Sequence, residues 1–273
     1  MYLAVDIGGT KTFIASLDDQ GVISEQFRFL TPKDYREFKI ELTKTVAQLS
    51  TKKFHAAGVG APGKIDRKYG LGLAMGNLPW QRASIRQDVS HIGDCPAILD
   101  NDANLAGLSE AMLLKDKYRT VLYVTIGTGI GTAIIVDQQI ILADTEGGHM
   151  MLEYGGKMQE WEDFSSGKAI VQRFGKRASD ITSQGDWKDI AHTIALGLNT
   201  LIAVVQPDVV VLGGGVSQHF EHFKTFLKTE LKQYETPLAT VPPIKKAQRP
   251  EHAVLYGCYD LARSVYGPST TEA

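Results

Sequence analysis

The sequence predicts an α/β protein with two duplicated lobes, each built on a mixed β-sheet, and a central cleft between the lobes. A pattern of strand, tight glycine turn and strand occurs near the start of the chain, over residues 2–15, and recurs in the middle, over residues 121–136. Further strand and helix signals follow each copy. Because clefts between lobes commonly bind ligands, we expect a small-molecule site there.

The two glycine turns are the first functional signal. In the first copy, an apolar segment leads into Asp6-Ile7-Gly8-Gly9-Thr10-Lys11, and in the second into Gly127-Thr128-Gly129-Ile130-Gly131. Glycine lets the backbone turn sharply and brings N–H groups close to an anion. A single turn of this kind is more often ordinary turn chemistry than a phosphate site. Two turns at matching positions predict a clamp around nucleotide phosphates.

The other elements follow from apolar periodicity and turn residues. The first half is predicted to contain a turn at 18–21, strands at 22–29, 56–60 and 97–99, and helices at about 34–49 and 105–114. Residues 64–86 show no sustained periodicity and are predicted to form long ordered loops. The second half is predicted to contain a turn at 137–139, strands at 140–142 and 209–212, and helices at 187–205, 216–231 and 253–266.

These elements predict the organisation of the domains. A small N-terminal lobe is expected over residues 1–105 and a large C-terminal lobe over 106–252. The final helix, at 253–266, is expected to pack back on the first lobe. Disorder is expected only over residues 268–273.

Composition narrows the class of partner. The 273-residue chain has 43% hydrophobic residues and a formal net charge of −2. Because the net charge is small and negative, the protein has no positive electrostatic field that would attract nucleic acid or an anionic membrane. No stretch approaches the ~20 apolar residues of a membrane span, and Met1 runs directly into a strand without a signal pattern. The sequence therefore predicts a cytoplasmic protein that binds small molecules, with neither nucleic acid nor membrane as a partner.

Six segments in a fixed order carry a resemblance to a known family. They are Asp6-Ile7-Gly8-Gly9-Thr10-Lys11, Gly58-Val59-Gly60-Ala61-Pro62-Gly63, Asn101-Asp102-Ala103-Asn104, Gly127-Thr128-Gly129-Ile130-Gly131, Glu146-Gly147-Gly148-His149-Met150 and Leu212-Gly213-Gly214-Gly215-Val216. On these segments the chain resembles the ROK family (repressors, open reading frames, sugar kinases) over essentially its whole length. The resemblance implies the two-lobed actin-like ATPase (ribonuclease H-like) fold that hexokinases share.

The resemblance also implies an activity, the phosphorylation of a hexose by ATP and Mg²⁺ at its 6-hydroxyl, with glucose as the substrate. It makes Asp102 the catalytic base, which takes the proton from that hydroxyl. From the local sequence alone, capping the following helix is the commoner role for such an aspartate. Asp6 is expected to hold Mg²⁺, directly or through water.

The resemblance assigns the remaining site residues in two groups. Contacts to the sugar are expected from Gly63, Asn77, Asn101, Asp102, Glu146, His149 and Glu162. Contacts to the nucleotide are expected from Asp6, Gly8, Gly9, Thr10, Lys11, Gly127, Thr128, Gly129, Gly213, Gly214 and Gly215. Trp80 and Trp161 could either stack on a sugar face or pack in a lobe core.

One segment departs from the family pattern. Family members commonly carry a cysteine-rich zinc knuckle after the Gly-His-Met segment, whereas this chain has Glu153-Tyr154-Gly155-Gly156-Lys157-Met158-Gln159-Glu160 there. The two cysteines present, Cys95 and Cys258, are expected to be buried small hydrophobes. We therefore expect no zinc site, and His149, a zinc ligand in knuckle-bearing members, should instead bond the sugar.

Several alternatives remain open at this stage. The sugar could be N-acetylmannosamine, fructose or allose, and the phosphoryl donor could be polyphosphate. A protein of another class, a sugar-sensing regulator without turnover, would bind a hexose at the same residues. The two aspartates Asp6 and Asp102 and the lack of a helix-turn-helix segment before the first strand favour the enzyme. A homodimer is expected.

Overall fold

The computed structural model describes residues 1–249 and 251–268. The chain forms two compact units, one of residues 1–112 with the described residues from 252 onward, and one of residues 113–249 with residue 251. The disorder expected over 268–273 falls, after Pro268, outside the described residues.

The first unit is built on a five-stranded sheet in the order β3-β2-β1-β4-β8. The strands of the whole unit, including three outside this sheet, are β1 (Tyr2–Ile7), β2 (Lys11–Leu17), β3 (Ile23–Leu30), β4 (Ala56–Ala61), β5 (Lys64–Asp66), β6 (Leu71–Met75), β7 (Leu78–Ala83) and β8 (Ala97–Asn101). Its first three helices are α1 (Tyr35–Val46), α2 (Ile85–Gly93) and α3 (Asp102–Met112). β1 is antiparallel to β2 and parallel to β4, which is parallel to β8.

The second unit is built on a five-stranded sheet in the order β11-β10-β9-β14-β15. Its strands are β9 (Thr120–Ile126), β10 (Ile130–Val136), β11 (Gln139–Ile141), β12 (Met151–Tyr154), β13 (Lys157–Glu160), β14 (Val209–Gly213) and β15 (Ile244–Lys246). Its helices are α4 (Trp161–Ser165), α5 (Gly167–Phe174), α6 (Gln184–Val205), α7 (Gly214–Ser217) and α8 (Phe220–Lys232), with 3₁₀ turns at Gly147–His149 and Ala178–Asp180. The last helix, α9 (Ala253–Tyr266), belongs to the first unit.

The two sheets repeat one topology, which confirms the predicted duplication. In each sheet a three-stranded antiparallel meander is joined, through its first strand, to two parallel strands. The glycine turns occupy equivalent places, between β1 and β2 and between β9 and β10. The sequence pattern therefore located the same supersecondary unit twice.

Helix α9 packs directly on the backbone of the first sheet. A Cβ atom at Gly58 of β4 would lie 2.0 Å from the carbonyl oxygen of Cys258, and one at Gly257 would lie 1.9 Å from the carbonyl oxygen of Leu105. Both positions therefore require glycine for this close approach. The last helix contacts β1, β4 and α3 in the same unit.

Helix α6 is long and apolar enough to cross a membrane by length and composition, a test that a buried core helix also passes. In the structure, however, its residues Trp187, Ile194 and Leu198 are buried in the core of the second unit. A Cβ atom at Gly197 would lie 2.1 Å from the ring of Trp161. We therefore interpret α6 as a buried core helix.

Residues 64–86 were wrongly predicted to be loops. They form an antiparallel sheet of β5, β6 and β7 and the start of α2. The strands are only three to six residues long, and the pairing shifts register at Lys64/Ile65 and at Ala74/Met75. These bulges break the alternation on which a strand prediction depends.

Two helices also differ from their predicted bounds. Helix α3 begins at Asp102 rather than at residue 105, and it lies whole in the first unit, so a boundary at 105 would cut through it. The helix predicted over 216–231 is divided into α7 and α8.

Candidate active site

The first glycine turn is held by its own backbone and by Thr31. Gly8 N–H donates to the Lys11 carbonyl at 3.0 Å, and Thr31 N–H donates to the Thr10 carbonyl at 2.9 Å. The Thr31 hydroxyl donates to the Gly8 carbonyl at 2.8 Å. Thr10 and Lys11 themselves are exposed. The predicted phosphate turn is thus preorganised, with two polar side chains open to solvent.

Asn77 lies beside this turn. A Cβ atom at Gly9 would be 3.5 Å from the Asn77 Cβ. Lys33 Nζ donates to the Asn77 carbonyl at 2.8 Å and reaches the Gly9 carbonyl at 3.5 Å. Sequence reasoning missed Lys33 and Thr31, because neither stands in a motif.

Asp6 and Asp102 are close enough to influence one another. Asp6 follows four buried residues on β1 and is itself half-buried. Burial, reinforced by the negative charge of Asp102, raises the pKa of Asp6 to about 7. The register pairs Asp6 of β1 with Gly60 of β4, and Gly60 with Asp100 of β8. Asp6 and Asp100 therefore lie at the carboxyl edge of the sheet, and Asp102 begins the helix that follows β8.

Asp102 is the first residue of α3, and its Oδ1 accepts from the Ala103 N–H at 2.8 Å. Asn101 Oδ1 accepts from the same N–H at 2.8 Å. Asn101, the residue before α3, therefore makes the bond typical of a helix cap, and Asp102 accepts from the same N–H. This bond of Asp102 is compatible with a role as base, because a carboxylate has two oxygens and four lone-pair positions.

Asn101 and Gly63, both predicted to contact the sugar, lie together. Asn101 Nδ2 donates to the Gly63 carbonyl at 3.0 Å. Gly63 has a φ of 80°, and a Cβ atom there would lie 2.0 Å from the Ala74 carbonyl oxygen, so the turn requires glycine. The amide of Asn101 therefore joins this turn to the start of α3.

A buried ion pair supports the same loop. Arg67 Nε and Nη2 donate to the two carboxylate oxygens of Asp100 at 3.0 and 2.8 Å. Asp100 is only 6% exposed and also accepts from Asn101 N–H and from Asn104 Nδ2. Sequence reasoning missed Arg67. The signal that could have found it is Asp100, an aspartate at the end of a buried strand. A buried carboxylate requires a partner, so a basic residue was to be expected nearby.

The second glycine turn is bonded to its neighbours in the second unit. Gly127 N–H donates to the Gly129 carbonyl at 2.9 Å, and Gly167 N–H donates to the Gly127 carbonyl at 2.7 Å. Glu162 Oε2 accepts from Ile130 N–H at 3.0 Å, and a Cβ atom at Gly129 would lie 2.5 Å from that oxygen. Glu162 thus lies against the predicted phosphate turn as well as beside the predicted sugar-binding residues.

The predicted sugar-binding histidine is surrounded by carboxylates. His149 Nδ1 lies 2.7 Å from Glu160 Oε2. This hydrogen bond raises the pKa of His149, and the charges of Glu160, Glu162 and Glu146 add to the effect, against a smaller opposing effect of burial. Ligand atoms of His149, Glu160 and Glu162 lie within 4.8 Å of one another, a spacing that could hold a metal ion.

A thiolate zinc site does not fit this segment. Residues 151–160 form the hairpin of β12 and β13, which turns through Gly155 and Gly156, both with positive φ. The chain's two cysteines, Cys95 and Cys258, are both buried in the first unit. The absence of bound zinc remains a prediction. The side chains that this region offers to a metal, those of His149, Glu160 and Glu162, are carboxylates and an imidazole rather than thiolates.

A cavity of about 630 Å³ lies in the second unit beside the second glycine turn. Its lining includes Gly127, Thr128, Gly215, Lys168, Arg177 and His219. Burial, with the positive charges of His222 and Lys246, lowers the pKa of His219. The cavity therefore brings together three of the predicted nucleotide-binding residues with basic residues that the sequence analysis did not identify.

Gly213 and Gly214 have a packing role next to this cavity. A Cβ atom at Gly213 would lie 2.1 Å from the Tyr123 hydroxyl, and one at Gly214, where φ is 80°, would lie 2.5 Å from the Ile126 carbonyl oxygen. The glycine run thus allows β14 and α7 to approach β9 closely, which places Gly215 on the cavity wall.

Both candidate tryptophans belong to cores. Trp80 is buried, and its Nε1 donates to the Lys33 carbonyl at 2.9 Å. Trp161 is fully buried, and its Nε1 donates to the Thr193 carbonyl at 3.1 Å. The alternative in which either ring stacks on a sugar is therefore wrong.

Comparison with known proteins identifies the family. A model of the ROK family matches residues 2–265, so the chain belongs to the ROK family. It is 30% identical over 238 residues to a protein of Bacillus subtilis (strain 168) provisionally named a fructokinase, covering 80% of this chain and 78% of that protein. It is 29% identical over 289 residues to an N-acetyl-D-glucosamine kinase of Citrobacter koseri, covering 91% and 94%.

Solved structures confirm the fold. A ROK family glucokinase from Streptomyces griseus, crystallised with glucose and AMPPNP, matches with a TM-score of 0.80 and 24% identity, covering 96% of this chain and 99% of that one. The predicted fold class, an α/β actin-like ATPase fold with duplicated mixed sheets, is therefore confirmed.

Proposed function

We propose that this ROK-family sugar kinase transfers the γ-phosphoryl group of ATP to the 6-hydroxyl of a hexose, with glucose as the substrate. One observation carries the proposal. Asp102 stands at the N-terminus of α3, next to the half-buried Asp6 and to the fixed Asn101–Gly63 turn. A carboxylate base beside a second carboxylate suited to a metal is what phosphoryl transfer to an alcohol requires.

Asp102 is the proposed general base. A helix N-terminus favours a negative charge, which helps to keep Asp102 ionised until it takes the proton of the attacking hydroxyl. The hydrogen bond from Ala103 N–H holds the carboxylate in place. Positioning of the reacting groups supplies much of the remaining catalysis in kinases.

The phosphates are proposed to bind at the two glycine turns. Backbone N–H groups of residues 8–11 and 127–129 suit phosphate oxygens, with Thr10 and Thr128 adding hydroxyls and Lys11 a positive charge. The nucleoside is assigned to the cavity that Thr128 and Gly215 line. Asp6 is proposed to hold Mg²⁺, directly or through water, and its carboxylate oxygens suit that ion. Bound Mg²⁺ would neutralise charge on the phosphates.

The hexose is proposed to bind polar side chains of both units. The first unit offers Asn77, Asn101 and Asp102, and the second offers Glu146, His149 and Glu162. Each carboxylate can accept two hydroxyl hydrogen bonds, so a site of this kind rejects analogues that lack a hydroxyl.

The identity of the sugar is the most specific part of the proposal. The relatives described above carry names for three different sugars, so fructose and amino sugars such as N-acetylmannosamine stand as alternatives, together with allose. Polyphosphate is the alternative donor. A cytoplasmic location and a homodimer are further proposals, which rest on the sequence and the family resemblance.

An ADP-release assay across a panel of hexoses tests the proposal, with ATP and polyphosphate as donors. We expect turnover with ATP and the highest kcat/KM with glucose. Turnover confined to another sugar would overturn the glucose assignment alone. Hexose binding by calorimetry without phosphorylated product from any donor would instead identify a regulator.

A further inference from the structure

Glu160 has no role in the proposed chemistry, although its side chain bonds the proposed sugar ligand His149. Their Nδ1 and Oε2 atoms are 2.7 Å apart, a length typical of a charge-assisted hydrogen bond. His149 ends a 3₁₀ turn and Glu160 ends β13. The Trp161 N–H donates to the Met150 carbonyl at 2.9 Å, which fixes the two chain segments side by side.

The hairpin that carries Glu160 is well supported. The Glu153 side chain accepts from Gly156 N–H at 2.7 Å, which closes the turn. The Tyr154 ring stacks on Phe164 at 4.5 Å, and Arg173 lies over Tyr154 at 5.5 Å. The position of Glu160 is therefore set by a packed element rather than by a mobile loop.

The charged groups that face His149 are all carboxylates. Glu160 comes from β13, Glu162 from α4, and Glu146 from the segment before the 3₁₀ turn. Together they raise the pKa of His149 and favour the imidazolium. In the imidazolium both ring nitrogens are donors. With Nδ1 bonded to Glu160, the Nε2 proton remains for an oxygen outside the cluster.

We propose that Glu160 is a positioning residue for sugar recognition, which holds His149 by Nδ1 so that Nε2 donates to a hydroxyl oxygen of the hexose. This inference rests on the proposed function for the identity of the ligand. The geometry of the pair does not depend on it. Loss of Glu160 should leave the fold and the chemistry at Asp102 intact and weaken the sugar contact.

The test compares Glu160→Gln with Glu153→Gln. Glu153 is on the same hairpin and exposed face, and its side chain bonds the turn rather than His149. Proton NMR of the apo protein in EDTA follows the titration of the His149 ring. We expect the midpoint to move to lower pH in Glu160→Gln and to stay in place in Glu153→Gln.

The second readout is the hexose KM as a function of pH. We expect the wild-type KM to rise as pH increases through the His149 titration, and this rise to begin at lower pH in Glu160→Gln. Near neutral pH the KM of that variant should be roughly 3–10-fold higher, as for the loss of one hydrogen bond. The ATP KM and kcat should change less than twofold.

An unchanged hexose KM profile in Glu160→Gln, with a shifted NMR midpoint, would overturn the inference and leave Glu160 a structural residue. An unchanged NMR midpoint would overturn it as well. If the wild-type protein turns over no hexose, the proposed function fails. The inference is then tested by adding glucose and recording the His149 resonance. Glucose should shift this resonance in the wild type and shift it less in Glu160→Gln. An equal shift in both proteins, or no shift in either, would overturn the inference.

Discussion

Glu162 lies beside residues of both the proposed phosphate site and the proposed sugar site. Its Oε2 accepts from Ile130 N–H in the second glycine turn, and the same carboxyl belongs to the cluster with His149. The family resemblance assigned it only to the sugar. The structure adds a contact with the backbone of the proposed phosphate turn.

We predict that Glu162→Gln raises the hexose KM far more than the ATP KM. The amide oxygen can still accept from Ile130 N–H, whereas the charge that binds sugar hydroxyls is lost. The expected cost is on the order of 1–3 kcal/mol in kcat/KM for the hexose. Glu162→Ala should raise both KM values, because the turn loses its acceptor. A lower melting temperature with an unchanged hexose KM would remove Glu162 from the sugar site.

Asp6 gives a prediction for pH. Its pKa is about 7 in the folded protein without metal, against an ordinary value of 3.8. The folded state therefore binds more protons than the unfolded state between these values, and this group lowers stability as pH rises from about 4 to 7. Asp6→Asn should remove that loss, so the stability of the variant relative to the wild type should be roughly 3–4 kcal/mol more favourable at pH 8 than at pH 4.

Urea unfolding of both proteins at the two pH values, without divalent cations, measures this difference. If the stability difference between Asp6→Asn and the wild type is the same at pH 4 and at pH 8, Asp6 does not have a raised pKa.

Among the elements, the sheet of β5, β6 and β7 is joined to β8 by the ion pair of Arg67 and Asp100. Arg67 follows β5, and Asp100 lies on β8, two residues before Asp102. Removing one partner of a buried pair leaves an uncompensated charge, whereas removing both is less costly.

We predict that Arg67→Met lowers the free energy of unfolding by about 3–5 kcal/mol. The double variant Arg67→Met, Asp100→Asn should lose less than the sum of its single variants, because neither charge is then left alone. Lys68→Met, at the exposed neighbouring position, is the control and should stay within about 0.5 kcal/mol of the wild type. Additive losses in urea unfolding would show that the pair is not coupled.

Helix α9 gives a second prediction for the elements. Replacing glycine by alanine inside a helix normally stabilises it by roughly 0.5–1 kcal/mol. Gly257→Ala should instead destabilise the protein by more than about 2 kcal/mol, because the new Cβ would meet the Leu105 backbone. Gly185→Ala in α6 has room for a Cβ and serves as the matched control. A Gly257→Ala protein as stable as the wild type would contradict the close packing of α9.

The elements also show what sequence can and cannot predict. Long, regular elements such as β1, α1 and α9 were predicted within a few residues, because burial on one face imposes a period on the sequence. The sheet of β5, β6 and β7 was missed, because its short strands are interrupted by bulges. The glycine turns were found as motifs. Sequence analysis did not find Arg67, Thr31 and Lys33. Their partners are distant in sequence, so no local sequence pattern indicates these contacts.

At the scale of the whole molecule, the duplication explains why the proposed site residues occur in two sets. Each unit has a five-stranded sheet of the same order, and each places a glycine turn between its first two strands. The first unit adds the aspartates Asp6 and Asp102, and the second adds the carboxylates around His149. One repeated element thus supplies both glycine turns, which are the proposed phosphate sites, while the residues outside the repeat differ in chemistry.

The central claim is that Asp102 acts as the base in phosphoryl transfer from ATP to a hexose. The most direct measurement is the rate of ADP release with ATP, Mg²⁺ and glucose for the wild type, Asp102→Asn and the control Asp94→Asn, with glucose binding measured by calorimetry. We predict turnover by the wild type and the control, and a loss of about 10²–10⁴-fold in kcat for Asp102→Asn with glucose binding retained. Near-normal turnover by folded Asp102→Asn would contradict the claim and leave Asp102 as a helix cap alone.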